Sequence, residues 1–136
     1  MIRVLFGEKG AGKTKRIIQM ANQTLLEAKG SIVFIDDDSQ YMYEVKRSIR
    51  FVDASHFDID GPKMFYGFLC GLAAQDHDLE HLFIDGFLKI VHHDLNTLEG
   101  LFTQLDKFAE DRKITITISI SGKPEDVPAF LKGYVL

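Results

Sequence analysis

Apolar and polar positions along the chain switch repeatedly between two periods. Ile2 to Phe6 is an apolar run broken only by Arg3, the pattern of a strand covered on both faces. From Lys13 to Ala28 the residues Ile17, Ile18, Ala21, Leu25 and Leu26 recur at helical spacing, and Gly30 stands where a helix commonly stops. Ile32 to Ile35 reads as a second buried strand closed by Asp36, Asp37 and Asp38, with Ser39 placed to cap a short helix through Val45. Arg50 to Asp53 predicts a brief third strand. Asp60, Gly61 and Pro62 predict a turn and a helix start, because proline lacks an N–H that the first helical turn would leave unpaired. That helix carries Met64, Phe65, Phe68, Leu69, Leu72 and Ala73 on one face. Gln75 to Glu80 reads as a polar loop, and Leu82, Phe83 and Ile84 as a short apolar strand ending at Asp85. Asn96 and Glu99 have the spacing of a capping box, and Leu98, Leu101, Phe102, Leu105, Phe108 and Ala109 mark one face of a long helix ending near Arg112. Ile114 to Ile120 alternates isoleucine with Thr115, Thr117 and Ser119, a β-branched strand, and the tail predicts a short helix after Pro128.

Strands alternating with helices through connections this long predict an α/β fold with a parallel sheet of about five strands and helices on both sides. At 136 residues, with no repeat, linker or low-complexity tract, the whole of residues 1–136 is expected to form one domain around one core. Hydrophobic residues at 46% and charged residues at 26% match an ordinary globular chain. No stretch approaches the roughly 18 apolar residues of a membrane span, and Met1 leads directly into an apolar run without a signal peptide's basic region. A cytoplasmic location is the expectation. Cys70 is the only cysteine, so no disulfide forms within the chain, and its apolar surroundings suit a small buried hydrophobe. A net charge of −4 argues against a nucleic acid backbone as the main ligand, because counterion release needs a basic face.

The chemistry is concentrated in Gly7, Glu8, Lys9, Gly10, Ala11, Gly12, Lys13 and Thr14, which satisfy G-x-x-x-x-G-K-[ST] directly after a strand and before a helix. Gly7 and Gly12 are expected to supply backbone angles closed to other residues, so that the loop wraps an anion with its N–H groups pointing inward. Phosphate then rests on the helix N-terminus, where unpaired amides and the helix dipole favour negative charge. Lys13 reaches the β and γ phosphates, and the Thr14 hydroxyl ligates magnesium. The predicted nucleotide-binding set is Gly7, Lys9, Gly10, Ala11, Gly12, Lys13, Thr14 and Lys15.

At these residues the chain resembles the P-loop NTPase superfamily. The resemblance implies a three-layer fold and a second motif, the Walker B strand, onto which Leu82, Phe83, Ile84 and Asp85 map; Asp85 then holds magnesium together with Thr14. Lys13 and Asp85 are the expected catalytic residues, and ATP and Mg2+ the expected ligands. The chain is also similar to very small bacterial single-domain ATP-binding proteins sometimes labelled twitching-motility-like, although 136 residues leave no room for the extra domain of pilus-retraction motors.

Two departures from the superfamily's pattern matter. Hydrolytic members with a strand inserted between the two motifs carry a glutamate after the Walker B aspartate, to position the attacking water; here that residue is Gly86. Asp36, Asp37 and Glu8 are the carboxylates available in its stead, each also explained as an ordinary loop carboxylate. The deviant P-loop of partitioning ATPases has lysine directly after the first glycine, where this chain has Glu8, so Lys9 is read as a plain phosphate-contacting cation. Ser119 and Ser121 end the last strand where members place a sensor of the γ phosphate. His77, His81, His92, His93 and Asp94 have the chemistry of a metal site if they converge. The reading that emerges is a slow or partner-stimulated ATPase. A small-molecule or nucleoside phosphotransferase and a nucleotide-gated binding module without turnover are the alternatives. The absence of N-K-x-D tilts base choice to adenine.

Overall fold

The computed structural model describes residues 1–136. Five strands, β1 (Ile2–Gly7), β2 (Ser31–Asp36), β3 (Arg50–Asp53), β4 (Leu79–Ile84) and β5 (Thr115–Ser121), form one sheet. Its order is β1-β5-β4-β2-β3 and every pairing is parallel. The helices are α1 (Lys13–Thr24), α2 (Pro62–Ala74), α3 (Phe87–Val91) and α4 (Glu99–Arg112). The last strand in the sequence, β5, thus lies between β1 and β4.

Parallel strands buried on both faces read as continuous apolar runs, and the two faces here divide unequally. Val4, Val33, Ile35, Leu82, Ile84, Ile116, Ile118 and Ile120 face α2, α3 and α4 in a core of 26 buried residues. Leu5, Ile32, Phe34 and Phe83 face α1 in a smaller core of 9, with Val45 and Ile49. On that second face Phe51, Phe34 and Phe83 stack ring on ring across neighbouring strands, with centroids 5.9 and 6.4 Å apart, and His81 continues the stack along β4, 6.2 Å from Phe83. The free side of β1 is covered by the tail: Val4 N–H donates to the Tyr134 carbonyl and Leu136 N–H to the Val4 carbonyl, both at 2.9 Å.

Several boundaries differ from the expectation. The helix α1 stops at Thr24, whose hydroxyl bonds back to the Met20 carbonyl, and turns carry the chain to Gly30. The strand β4 begins at Leu79, inside the expected polar loop, because the Glu80 carboxylate accepts the N–H groups of Lys29 and Gly30 and ties that stretch to the start of β2. Ser39 caps nothing: residues Met42–Glu44 form only a 3-10 turn, which starts at Tyr41. The Asn96–Glu99 capping box is not made either. Asp94 accepts the Asn96 N–H and starts a 3-10 turn over Leu95–Thr97, so α4 begins without a side-chain cap. Met64 is half exposed and not part of the buried face of α2, and Cys70 is only partly covered. A 3-10 turn, Ala129–Leu131, follows Pro128.

Candidate functional site

Parallel sheets gather the carboxyl ends of their strands on one edge, and there the loop after β1 meets the ends of β2, β4 and β5. A cleft of about 770 Å³ opens between them, within the usual range for a small-molecule site. Lys9, Gly10, Gly12, Lys13, Thr14, Lys15 and Asp85 line it, as do Asp36, Asp37, Ser119 and Ser121. Gly7 and Ala11 do not. Gly7 closes β1 with its carbonyl taken by Gly122 N–H, and the Ala11 amide turns inward to the Glu8 carbonyl at 3.1 Å.

The loop's left-handed positions are Gly10 and Gly12, at φ +86 and +87, rather than Gly7. Gly12 is the residue just before α1, and a side chain there would strain the step into the helix. The amides of Lys13, Thr14 and Lys15 follow in the first helical turn, where no residue lies far enough back to accept them. All three residues line the cleft, and unpaired amides of this kind at a helix N-terminus favour an anion. Lys13 Nζ donates to the Glu8 carbonyl across the loop at 2.9 Å, and burial lowers its ammonium below the ordinary lysine value, opposed by the charge of Asp85.

Thr14 and Asp85 are 71 residues apart, yet Thr14 Oγ1 donates to Asp85 Oδ2 at 2.9 Å. Asp85 is buried, and its other oxygen, Oδ1, accepts the Ser119 hydroxyl. Ser119 in turn accepts the Gly86 N–H at 3.1 Å, so the ends of β4 and β5 are locked to each other through one serine. A hydroxyl and a carboxylate are oxygen donors of the kind that a hard cation such as magnesium takes.

Asp36 is the least exposed carboxylate in the chain, at 1%. Its Oδ1 accepts the Asp37 N–H at 2.8 Å, while Oδ2 has no partner. Burial, reinforced by Asp37 and by the charge of Asp85, pushes the Asp36 carboxyl up to about 9, so it holds its proton at neutral pH. Gly86 adopts φ +68, and a Cβ there would overlap the Asp37 carboxylate, 2.9 Å from its Cγ. The space that a side chain at 86 would fill is thus taken by Asp37.

Asp36 and Asp37, expected either to stand in for the missing glutamate or to be ordinary loop carboxylates, both lie in the cleft wall with Asp85. Glu8 does not line the cleft. The reading missed Gln40, Tyr41, Glu44 and Lys89, which also line it. The available signal for Lys89 was its place one helical turn after Asp85. Phe87 is buried beneath the site, with its ring edge-on to Phe65 and Phe102. The histidines do not converge: no group of three or more His, Cys, Asp or Glu side chains is placed to hold a metal. His81 belongs to the aromatic stack, His92 ends α3, and His93 rests against Gly61.

No protein-family model matches the chain, and no curated protein sequence matches it. Among solved structures, the crystal structure of flagellar accessory protein FlaH from Methanocaldococcus jannaschii is similar at a TM-score of 0.58 and 12% identity. The match covers 94% of this chain but 63% of that one, so the chain spans less than two thirds of its structural relative. Nothing in this likeness supports the twitching-motility-like label. No helix is long and apolar enough to cross a membrane. The five-stranded parallel sheet, its flanking helices and the phosphate-loop geometry between β1 and α1 give the chain a P-loop NTPase-type fold.

Proposed function

We propose that the chain binds ATP with magnesium in the cleft at the carboxyl edge of the sheet and hydrolyses it slowly, with a protein partner accelerating turnover. The observation that carries this reading is the hydrogen bond from Thr14 to Asp85. It joins the two motifs at the place where both would share one cation. The amides of Lys13, Thr14 and Lys15 hold the phosphate chain, and Lys13 Nζ leaves the Glu8 carbonyl for the terminal phosphates. Thr14 and Asp85 hold the magnesium, with Ser119 fixing the Asp85 carboxylate. When bound, magnesium neutralises charge on the phosphate oxygens. Asp37 stands in for the glutamate that Gly86 cannot supply: from the end of the neighbouring strand it orients water toward the γ phosphate and accepts its proton.

Titration of wild type and Lys13→Ala with labelled ATP and GTP, with and without magnesium, tests the binding. The expected outcome is tighter retention of ATP than GTP, dependence on magnesium, and at least about a tenfold loss in the variant, since a phosphate-bound lysine contributes over 1.4 kcal/mol. Equal retention by both proteins would remove the assignment. Phosphate release measured with malachite green tests turnover separately.

A further inference from the structure

Next to the triphosphate cleft lies a second hollow of about 270 Å³. It is built by the turn after β3 and by α3, elements 30 residues apart in sequence that the Gly61 N–H bond to the Val91 carbonyl, 2.8 Å, holds together. Its floor is the buried trio Ala54, Ile59 and Ile90, and its rim is Ser55, Asp58 and His92. Asp37 and Lys89 line both this hollow and the cleft, so they stand at the junction of the two. Three non-glycine residues in the chain have left-handed backbones, Asp58, His92 and Lys113, and two of these sit on this rim. Both are C-caps, Asp58 of the turn Ala54–Phe57 and His92 of α3, and their left-handed turns set the shape of the rim.

The junction residues are a carboxylate and an ammonium, the pair that phosphoryl transfer asks for: one group to take a proton from the attacking oxygen, another to offset charge on the moving phosphoryl oxygens. Lys89 makes no ion pair with Asp37 or Asp58, and it joins Lys9, Lys13 and Lys15 in lining the cleft. The hollow lies just below the usual volume range for drug-sized ligands, so its occupant is small. With Lys89 directed to phosphate, Asp58 remains as the rim charge that selects a cation.

We infer that this hollow is an acceptor subsite, and that the chain transfers the γ-phosphoryl group of bound ATP to the hydroxyl of a small amino alcohol seated there, its ammonium at Asp58 and its hydroxyl at Asp37. The inference rests on the nucleotide reading above. The acceptor oxygen forms its bond to the γ phosphorus as the bond from that phosphorus to the β,γ-bridging oxygen breaks. The electron pair leaves with ADP, the hydroxyl proton passes to the Asp37 carboxylate, and the product is a phosphomonoester. Slow hydrolysis is then what happens when water fills the empty subsite.

Wild-type protein with magnesium and ATP is incubated with ethanolamine, L-serine or choline at millimolar concentration and followed by phosphorus NMR. In parallel, backbone amide signals of Ser55, Asp58 and His92 are followed as each probe is added without nucleotide. Expected are a new phosphomonoester with at least one probe, formed at least tenfold faster than free phosphate, and movement of the three amide signals by the same probe. Asp58→Asn raises the KM for that probe at least tenfold. Ala54→Phe, which fills the floor, abolishes the phosphomonoester; Asp58→Asn carries the test if the filled variant fails to fold. If labelled ATP is retained but no probe yields a phosphomonoester or moves the amide signals, the acceptor subsite is overturned while nucleotide binding stands. If ATP itself is not retained, the nucleotide reading falls first and the acceptor subsite with it.

Discussion

Replacing Asp36 by asparagine removes a carboxyl group that the fold forces to stay protonated. In the folded protein its oxygens are buried, one accepts the Asp37 amide and the other has no partner, and burial holds the group up to about 9 against an ordinary value of 3.8. The sign follows from proton counts. At low pH folded and unfolded chains both carry the proton and the group is neutral to stability. As pH rises past the unfolded value the unfolded chain sheds its proton first, so stability falls by about 1.4 kcal/mol per pH unit until the folded group ionises near 9. At pH 7 the full linkage would approach about 4 kcal/mol; coupling to Asp85 and residual structure in the unfolded chain make about 2 kcal/mol a better working figure. Asparagine keeps the acceptor for the Asp37 amide, places a neutral NH2 where the unpartnered oxygen sits, and carries no titration. Asp36→Asn should therefore melt roughly 6 °C higher than wild type at pH 7 in the absence of nucleotide. The gap should widen from pH 5 to pH 9 and shrink toward pH 4. Scanning calorimetry across that range is the assay. Melting curves of the two proteins that stay parallel at every pH would refute the reasoning, since an ordinary surface carboxylate would behave that way.

Gly86→Ala should cost about 1–2 kcal/mol, or roughly 3–6 °C of melting temperature, because the new methyl meets the Asp37 carboxylate and the residue must keep a positive φ. It should also depress phosphate release while labelled ATP is still retained, and unchanged release would deny Asp37 its role. Glu80→Gln probes the joint between α1 and β2, where the Gly30 amide bond, helped by that of Lys29, holds the Glu80 carboxyl below its ordinary value. A depressed carboxylate stabilises above its unfolded value and loses that contribution as pH falls through the folded one. The difference in urea midpoint between wild type and Glu80→Gln should therefore be present at pH 7 and vanish near pH 3, and a difference that persists in acid would point to packing instead of charge.

The alternation of apolar runs made the α/β class readable, and the Gly12, Lys13 and Thr14 signature marked the turn between β1 and α1. Polar residues that serve the tertiary structure were not readable. Glu80 looked like part of a loop until the amides of Lys29 and Gly30, some 50 residues away, claimed its carboxylate and extended β4 backward. Asn96 and Glu99 had the right spacing for a helix cap, but Asp94 captured the Asn96 amide first. Asp36 and Asp37 could be named as candidates from the end of an apolar strand, but a triplet of aspartates there also reads as a turn, and the position of β2 beside β4 is what brings them to Asp85. Lys89 was hidden for the same reason, since α3 is five residues long and gives too little periodicity to orient.

The opening strand is hemmed on one side by β5 and on the other by the chain's final residues, so each of its neighbours lies more than 110 positions downstream. During synthesis that strand emerges with nothing to pair with, and the glycine-rich turn that follows it has no rigid frame until β5 has been made. Loop closure over such a separation is slow and is rewarded only at the end. Added nucleotide should accordingly do little to help the growing chain before β5 emerges, and until then the chain should stay open to proteases.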